Sequence, residues 1–162
     1  MATLLDTSAL VVLIRSVGMP ALEPVARAAR EEIEAGRALV SAVTAAELLV
    51  GASGEAGLER LSLFLDALPV VAADRDVATW AGRMGAHART RGSSIPLPDL
   101  LIAATSVRLD VPLLTCDKDF ARGQGTATPK SRSRKASGPA AESDGGSLWR
   151  RLVLHPASVP RA

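Results

Sequence analysis

A chain of 162 residues, 48% hydrophobic and 2% aromatic, has the length of one domain and can bury a core. One cysteine excludes a disulfide framework and a cysteine-cluster metal site, and it fits a reducing, cytoplasmic compartment. The net charge of +2 hides a division: residues 1–122 carry 12 basic and 15 acidic side chains and residues 123–162 carry 7 and 2, unlike the single basic face of an ordinary DNA reader.

Ala2–Leu5 is short and apolar, ends at Asp6, and predicts a buried first strand. Thr7 or Ser8 can cap a short helix through Ile14. The apolar run Ala9–Ile14 falls far short of the roughly 18 residues a membrane span needs. With no basic lead and with Asp6 inside it, the N-terminal stretch is not expected to be a signal peptide. Pro24 suits the first turn of a helix to about Ala35, with Val25, Ala28, Ala29 and Ile33 on one face and Gly36 as its stop. Ala38–Val43 predicts a second strand, after which Thr44 caps a helix from Ala45 to about Ala52.

Gly54 and Gly57 punctuate the chain before a helix bearing Leu58, Leu61, Phe64, Leu65 and Leu68, which Pro69 ends. Val70–Ala72 is a short strand. Asp74 opens a helix with Val77, Trp80, Ala81 and Met84 as its apolar side. Gly92 to Pro98 reads as a loop, Pro98 and Asp99 as the start of a helix through about Leu109, and Pro112–Thr115 as the last strand of the body. Strands separated by helices predict an α/β sandwich on a mostly parallel sheet. Residues 123–162 hold 5 Gly, 4 Pro and 6 Ser, with a basic cluster at Lys130–Lys135. That composition predicts a disordered, low-complexity tail broken by one apolar island, Leu148–Leu154, which could dock as a strand or short helix.

Four acids fall at similar places in this pattern. Asp6 follows the first strand, Glu47 lies one turn into a helix, Asp99 starts a helix, and Asp117 follows the last body strand. In an open parallel sheet, residues just past the strand ends converge on one crevice. Carboxylates gathered there repel one another unless a cation intervenes, and a hard divalent ion prefers oxygen ligands. Taken singly, each acid has a plainer explanation, as a helix cap, a solvated helix residue or a turn residue. A metal-dependent phosphatase on a similar fold would use the same set. Cys116 has no histidine near it in sequence, so it reads as a small residue at a strand end. His87 reads as solvated, Trp80 and Phe64 as core or dimer-face residues, and Arg83, Arg89 and Arg91 as a solvated face or phosphate contacts.

Four segments resemble the motifs of a PIN domain. They are Leu4-Leu5-Asp6-Thr7-Ser8-Ala9-Leu10, Thr44-Ala45-Ala46-Glu47-Leu48-Leu49-Val50-Gly51, Pro96-Leu97-Pro98-Asp99-Leu100-Leu101-Ile102-Ala103-Ala104-Thr105 and Leu113-Leu114-Thr115-Cys116-Asp117-Lys118-Asp119-Phe120. Their order and spacing across residues 4–120 resemble VapC, the toxin of bacterial type II toxin–antitoxin modules. The resemblance implies a PIN-like three-layer sandwich and a Mg²⁺- or Mn²⁺-dependent endoribonuclease leaving a 5′-phosphate and a 3′-hydroxyl.

By the same resemblance Asp6, Glu47, Asp99 and Asp117 would be the catalytic, metal-binding acids, with Asp119 a second candidate near the fourth position. The hydroxyls of Thr7 or Ser8 and of Thr115 would help to position acids or metal waters. A VapB-type antitoxin whose C-terminal segment fills the groove, an RNA substrate, a homodimer and no membrane partner are also implied. The alternative is a catalytically silent PIN-like protein that binds antitoxin or RNA without cleaving. Relatives usually close soon after the fourth motif with a short strand. Here Phe120-Ala121-Arg122 runs into the tail, so the domain is placed at 1–122 and the tail at 123–162. Either Leu152–Leu154 supplies a delayed edge strand or that strand is missing.

Overall fold

The computed structural model describes residues 1–116 and the pair 153–154. Five parallel strands form one sheet: β1 (Thr3–Leu5), β2 (Ala38–Ser41), β3 (Val70–Val71), β4 (Leu113–Leu114) and β5 (Val153–Leu154), in the order β3-β2-β1-β4-β5. Among the described residues six helices link β1 to β4: α1 (Thr7–Arg15), α2 (Pro24–Glu34), α3 (Ala42–Val50), α4 (Gly54–Asp66), α5 (Arg75–Thr90) and α6 (Leu97–Leu109).

β1 is central. Its Thr3, Leu4 and Leu5 stand opposite Ala38, Leu39 and Val40 of β2, while Leu4 and Leu5 also face Leu113 and Leu114 of β4. Successive side chains of a strand point to opposite faces. Accordingly Leu4 and Leu113 pack with Val77, Ala81, Met84, Leu100 and Ile102 under α5 and α6. Leu5, Val40 and Leu114 pack with Leu10, Val25, Ala29, Leu48 and Leu65 under α1–α4. The result is three layers, helix–sheet–helix, with strands apolar on both faces as fully covered parallel strands require. From the apolar island at 148–154, Val153 and Leu154 are described, and they pair with Leu113 and Leu114 as the edge strand β5.

Local chemistry moves several boundaries from where the sequence predicts them. Asp6, rather than Thr7 or Ser8, is the N-cap residue of α1, and its carboxylate makes no capping bond. β2 stops at Ser41, whose hydroxyl accepts the Thr44 N–H at 2.9 Å and so starts α3 at Ala42. Thr44 is therefore inside the first turn, and Glu47 falls in the second turn of α3. Gly54 and Gly57 do not separate α4 from what precedes it; they lie within its first turn, and Gly57 is buried there.

The pairing of α5 with α6 fixes the far side of the sheet. The Asp74 carboxylate caps α5 by accepting from the N–H groups of Asp76 and Val77. Its other oxygen receives Arg108, near the end of α6, at 2.7 Å. The two helices are thus antiparallel, and the end of α5 adjoins the start of α6. At their contact a side chain on Gly85 would come within 2.8 Å of the Leu100 Cδ1 methyl. Among the described residues, no helix is long and apolar enough to cross a membrane.

Candidate active site

In chain order the sheet grows from β1 to β2 and β3 on one side, then to β4 on the other. That reversal is a topological switch point between β1 and β4, and the crevice beyond the strand ends there is the usual ligand site of an open parallel sheet. Asp6 and Thr115 are the residues immediately past those two ends. Asp6 is 3% exposed and Thr115 is 2% exposed.

Two hydroxyls hold the Asp6 carboxylate. Ser8 Oγ donates to Asp6 Oδ2 at 2.6 Å, and Thr115 Oγ1 donates to the same oxygen at 2.7 Å. Ser8 Oγ in turn accepts the backbone N–H of Cys116 at 2.9 Å. The two hydroxyl oxygens are 3.1 Å apart. Both donated bonds therefore land on Oδ2, and neither engages Oδ1. The Cys116 N–H is a member of this clasp that side-chain motifs do not advertise, because any residue except proline would supply it there.

A second hydroxyl–carboxylate pair stands beside the first. Thr7 Oγ1 donates to Glu47 Oε2, tying the start of α1 to α3 across 40 residues of sequence. Thr7 and Glu47 are both half-buried. Asp99 is half-buried in the first turn of α6. Asp117 and Asp119 lie outside the described residues.

Charge balance shows what the site can take. Neither Asp6 nor Glu47 is paired with a basic side chain among the described residues, whose ion pairs are Arg30–Glu34, Arg37–Glu32 and Arg108–Asp74. Hydroxyl dipoles orient a buried carboxylate without neutralising it, and an uncompensated buried charge is costly. A hard divalent cation supplies the missing charge and takes carboxylate oxygen. Among the described residues no three His, Cys, Asp or Glu side chains come close enough to hold a metal ion by themselves. Mg²⁺ needs fewer, since it keeps several waters and is held through one or two carboxylates. In its chemistry the donor set is therefore compatible with a hard divalent cation such as Mg²⁺ or Mn²⁺.

An apolar groove of about 980 Å³ opens on the α1–α4 face, lined by Leu13, Ile14, Met19, Ile33, Leu61 and Phe64. On its rim Val17 is 80% and Met19 62% exposed, and Arg30, Glu34 and Arg60 add charge there.

The family model described as "PIN domain" matches residues 3–125. No curated protein matches the chain. Solved structures similar to it include a toxin–antitoxin complex from Klebsiella pneumoniae, with TM-score 0.59, 24% identity, and coverage of 74% of this chain and 91% of that one. FitAcB from Neisseria gonorrhoeae has TM-score 0.62 and 19% identity and covers 97% of this chain and 99% of its own. VapBC-5 from Mycobacterium tuberculosis, a member of the VapBC family of toxin–antitoxin systems, has TM-score 0.52 and 26% identity, with coverage of 78% and 93%.

Proposed function

The chain belongs to the PIN-domain family, and we propose that it is the toxin of a type II toxin–antitoxin pair, an endoribonuclease that depends on Mg²⁺ or Mn²⁺. The observation that carries this reading is Asp6: a buried carboxylate at the switch point, held by two hydroxyls and without a basic partner among the described residues. A bound divalent cation would supply Lewis acidity and an activated water for in-line hydrolysis of a phosphodiester.

The chain's own residues prepare the site. Ser8 and Thr115 lock the Asp6 carboxylate through Oδ2, which leaves Oδ1 for a cation. Thr7 fixes Glu47 beside it. Asp99, in the first turn of α6, and Asp117 are the remaining acids that the resemblance assigns to the site. The catalytic unit is placed at residues 1–122, with β5 closing the sheet from within the 123–162 segment. The apolar groove on α1–α4 has the chemistry to seat an amphipathic segment of a VapB-type antitoxin.

The test is cleavage of a structured RNA by the purified full chain, with Mg²⁺ or with EDTA. Cleavage with Mg²⁺, its loss with EDTA, and a fall of at least about 100-fold for Asp6→Asn and Asp99→Asn are expected, the lower end of the loss seen when one group that stabilises the transition state is removed. Cleavage by both variants at the wild-type rate would overturn the site. Antitoxin binding without any cleavage would assign the chain to the silent PIN-like alternative.

A further inference from the structure

Helix α5 and its C-cap residue Arg91 carry basic side chains that make no ion pair among the described residues. At 100° per residue, Trp80, Arg83 and His87 fall within about 60° of one another around the helix axis, and Arg91 is the C-cap that follows. Arg83, His87 and Arg91 are exposed. Trp80 is half-buried against the core formed by Val77, Ala81 and Met84. The Arg83 guanidinium carbon sits 5.9 Å from the centre of the Trp80 ring. That distance is at the outer limit of a cation–π contact, and Arg83 remains exposed to solvent. Neither Arg83 nor Arg91 has a carboxylate partner among the described residues.

The helix also has a direction. Its one acid, Asp76, is in the first turn of α5. The Asp74–Arg108 bond pins that acidic end to the end of α6. The basic end, at Arg91, therefore adjoins the start of α6, where Asp99 stands in the first turn. Along α5 the charge thus changes from Asp76 at its start to Arg91 at its end, beside the start of α6 that carries Asp99.

We infer that Arg83 and Arg91 form a track for the phosphate backbone of an RNA strand, positioning the substrate as it runs to the acids. The inference rests on the nuclease reading and adds substrate-positioning residues to it. Guanidinium groups suit this task because their fork matches phosphate oxygens, and the contact reads no base sequence.

The test is equilibrium binding of a labelled single-stranded oligoribonucleotide to the full chain in EDTA, over a salt series. Each phosphate contact on a single strand contributes about −0.7 to the slope of log K against log salt. The double variant Arg83→Gln/Arg91→Gln should bind at least about 5-fold more weakly and flatten that slope by about 1.4. Arg83→Lys/Arg91→Lys should keep the slope. Arg89→Gln, on the opposite flank of α5, should change neither. An unchanged slope in the double Gln variant overturns the track, as does an equal loss in Arg89→Gln. A double Gln variant that binds and cuts RNA like wild type would discard the track and leave the nuclease reading standing. Wild-type chain that neither binds nor cuts RNA would remove both.

Discussion

Thr115→Val removes one hydroxyl from a site where its worth follows from the geometry. The side chain is 2% exposed, and its oxygen lies 2.7 Å from Asp6 Oδ2. Valine has nearly the same shape, so the change replaces a hydrogen-bond donor by a methyl group against a carboxylate oxygen. A hydrogen bond to a charged group is worth about 1.5–3 kcal/mol, and one between neutral groups about 0.5–1.5. In the cation-free protein Thr115→Val should therefore cost about 1.5–3 kcal/mol. At roughly 2–4 °C per kcal/mol for a chain of this size, the melting temperature should fall by about 3–12 °C. In an Asp6→Asn background the acceptor is neutral, so the same change should cost only about 0.5–1.5 kcal/mol. Thermal or denaturant unfolding in EDTA of the four proteins of this cycle gives the coupling directly, and about 1 kcal/mol or more is expected. A coupling below about 0.3 kcal/mol, within ordinary additivity error, would refute the claim that Thr115 holds a charged Asp6.

The other expectations concern the scaffold. The Arg37 guanidinium, donating to Glu32 at 2.8 and 3.1 Å, holds the Glu32 carboxyl below the usual carboxylate range. A depressed folded value means stability that is present above the unfolded value near pH 4.3 and lost as pH falls through the folded one. The melting-temperature gap between wild type and Glu32→Gln should therefore be constant above about pH 5.5 and close toward pH 3; a gap independent of pH would contradict it. At the α5–α6 contact, Gly85→Val must displace Leu100 and should cost about 1–3 kcal/mol. Gly82→Ala on the same helix meets nothing within 4 Å and should stabilise by about 0.5–1 kcal/mol. Equal melting temperatures for these two glycine variants would refute the packing argument.

Where a residue's role is local, the sequence reveals it. Asp74 before an apolar-periodic stretch predicts an N-cap, and the structure shows its carboxylate accepting two backbone N–H groups. Leu4 and Leu5 followed by an acid predict a buried strand, and β1 is that strand. Boundaries inside continuous apolar runs are less legible. In Ala38–Val43 nothing in the periodicity separates the strand from the helix, and the Ser41 hydroxyl decides it.

Long-range pairing is less legible still. Ser8 and Thr115 meet on Asp6 across more than 100 residues, because β1 and β4 are neighbours in the sheet. No local pattern encodes that adjacency; the motif resemblance is what singles out those hydroxyls. The return of the chain at Val153–Leu154 to pair with β4 is equally a matter of the unfilled sheet edge rather than of local propensity. The Arg83–Trp80 contact is in principle visible as an i, i+3 pair, yet only the antiparallel docking of α5 on α6 shows which end of α6 the basic residues adjoin.

The central claim is that acids from different layers of the fold serve one divalent cation. Calorimetric titration of Mn²⁺ into the metal-free full chain tests it most directly, with the fold of each variant checked by its unfolding midpoint. The account predicts saturable binding to wild type, a loss of at least about 10-fold in affinity for Asp6→Asn and for Asp99→Asn, and a loss of about 10–100-fold for Thr115→Val through its hold on Asp6. Wild-type affinity in both Asp variants would contradict it.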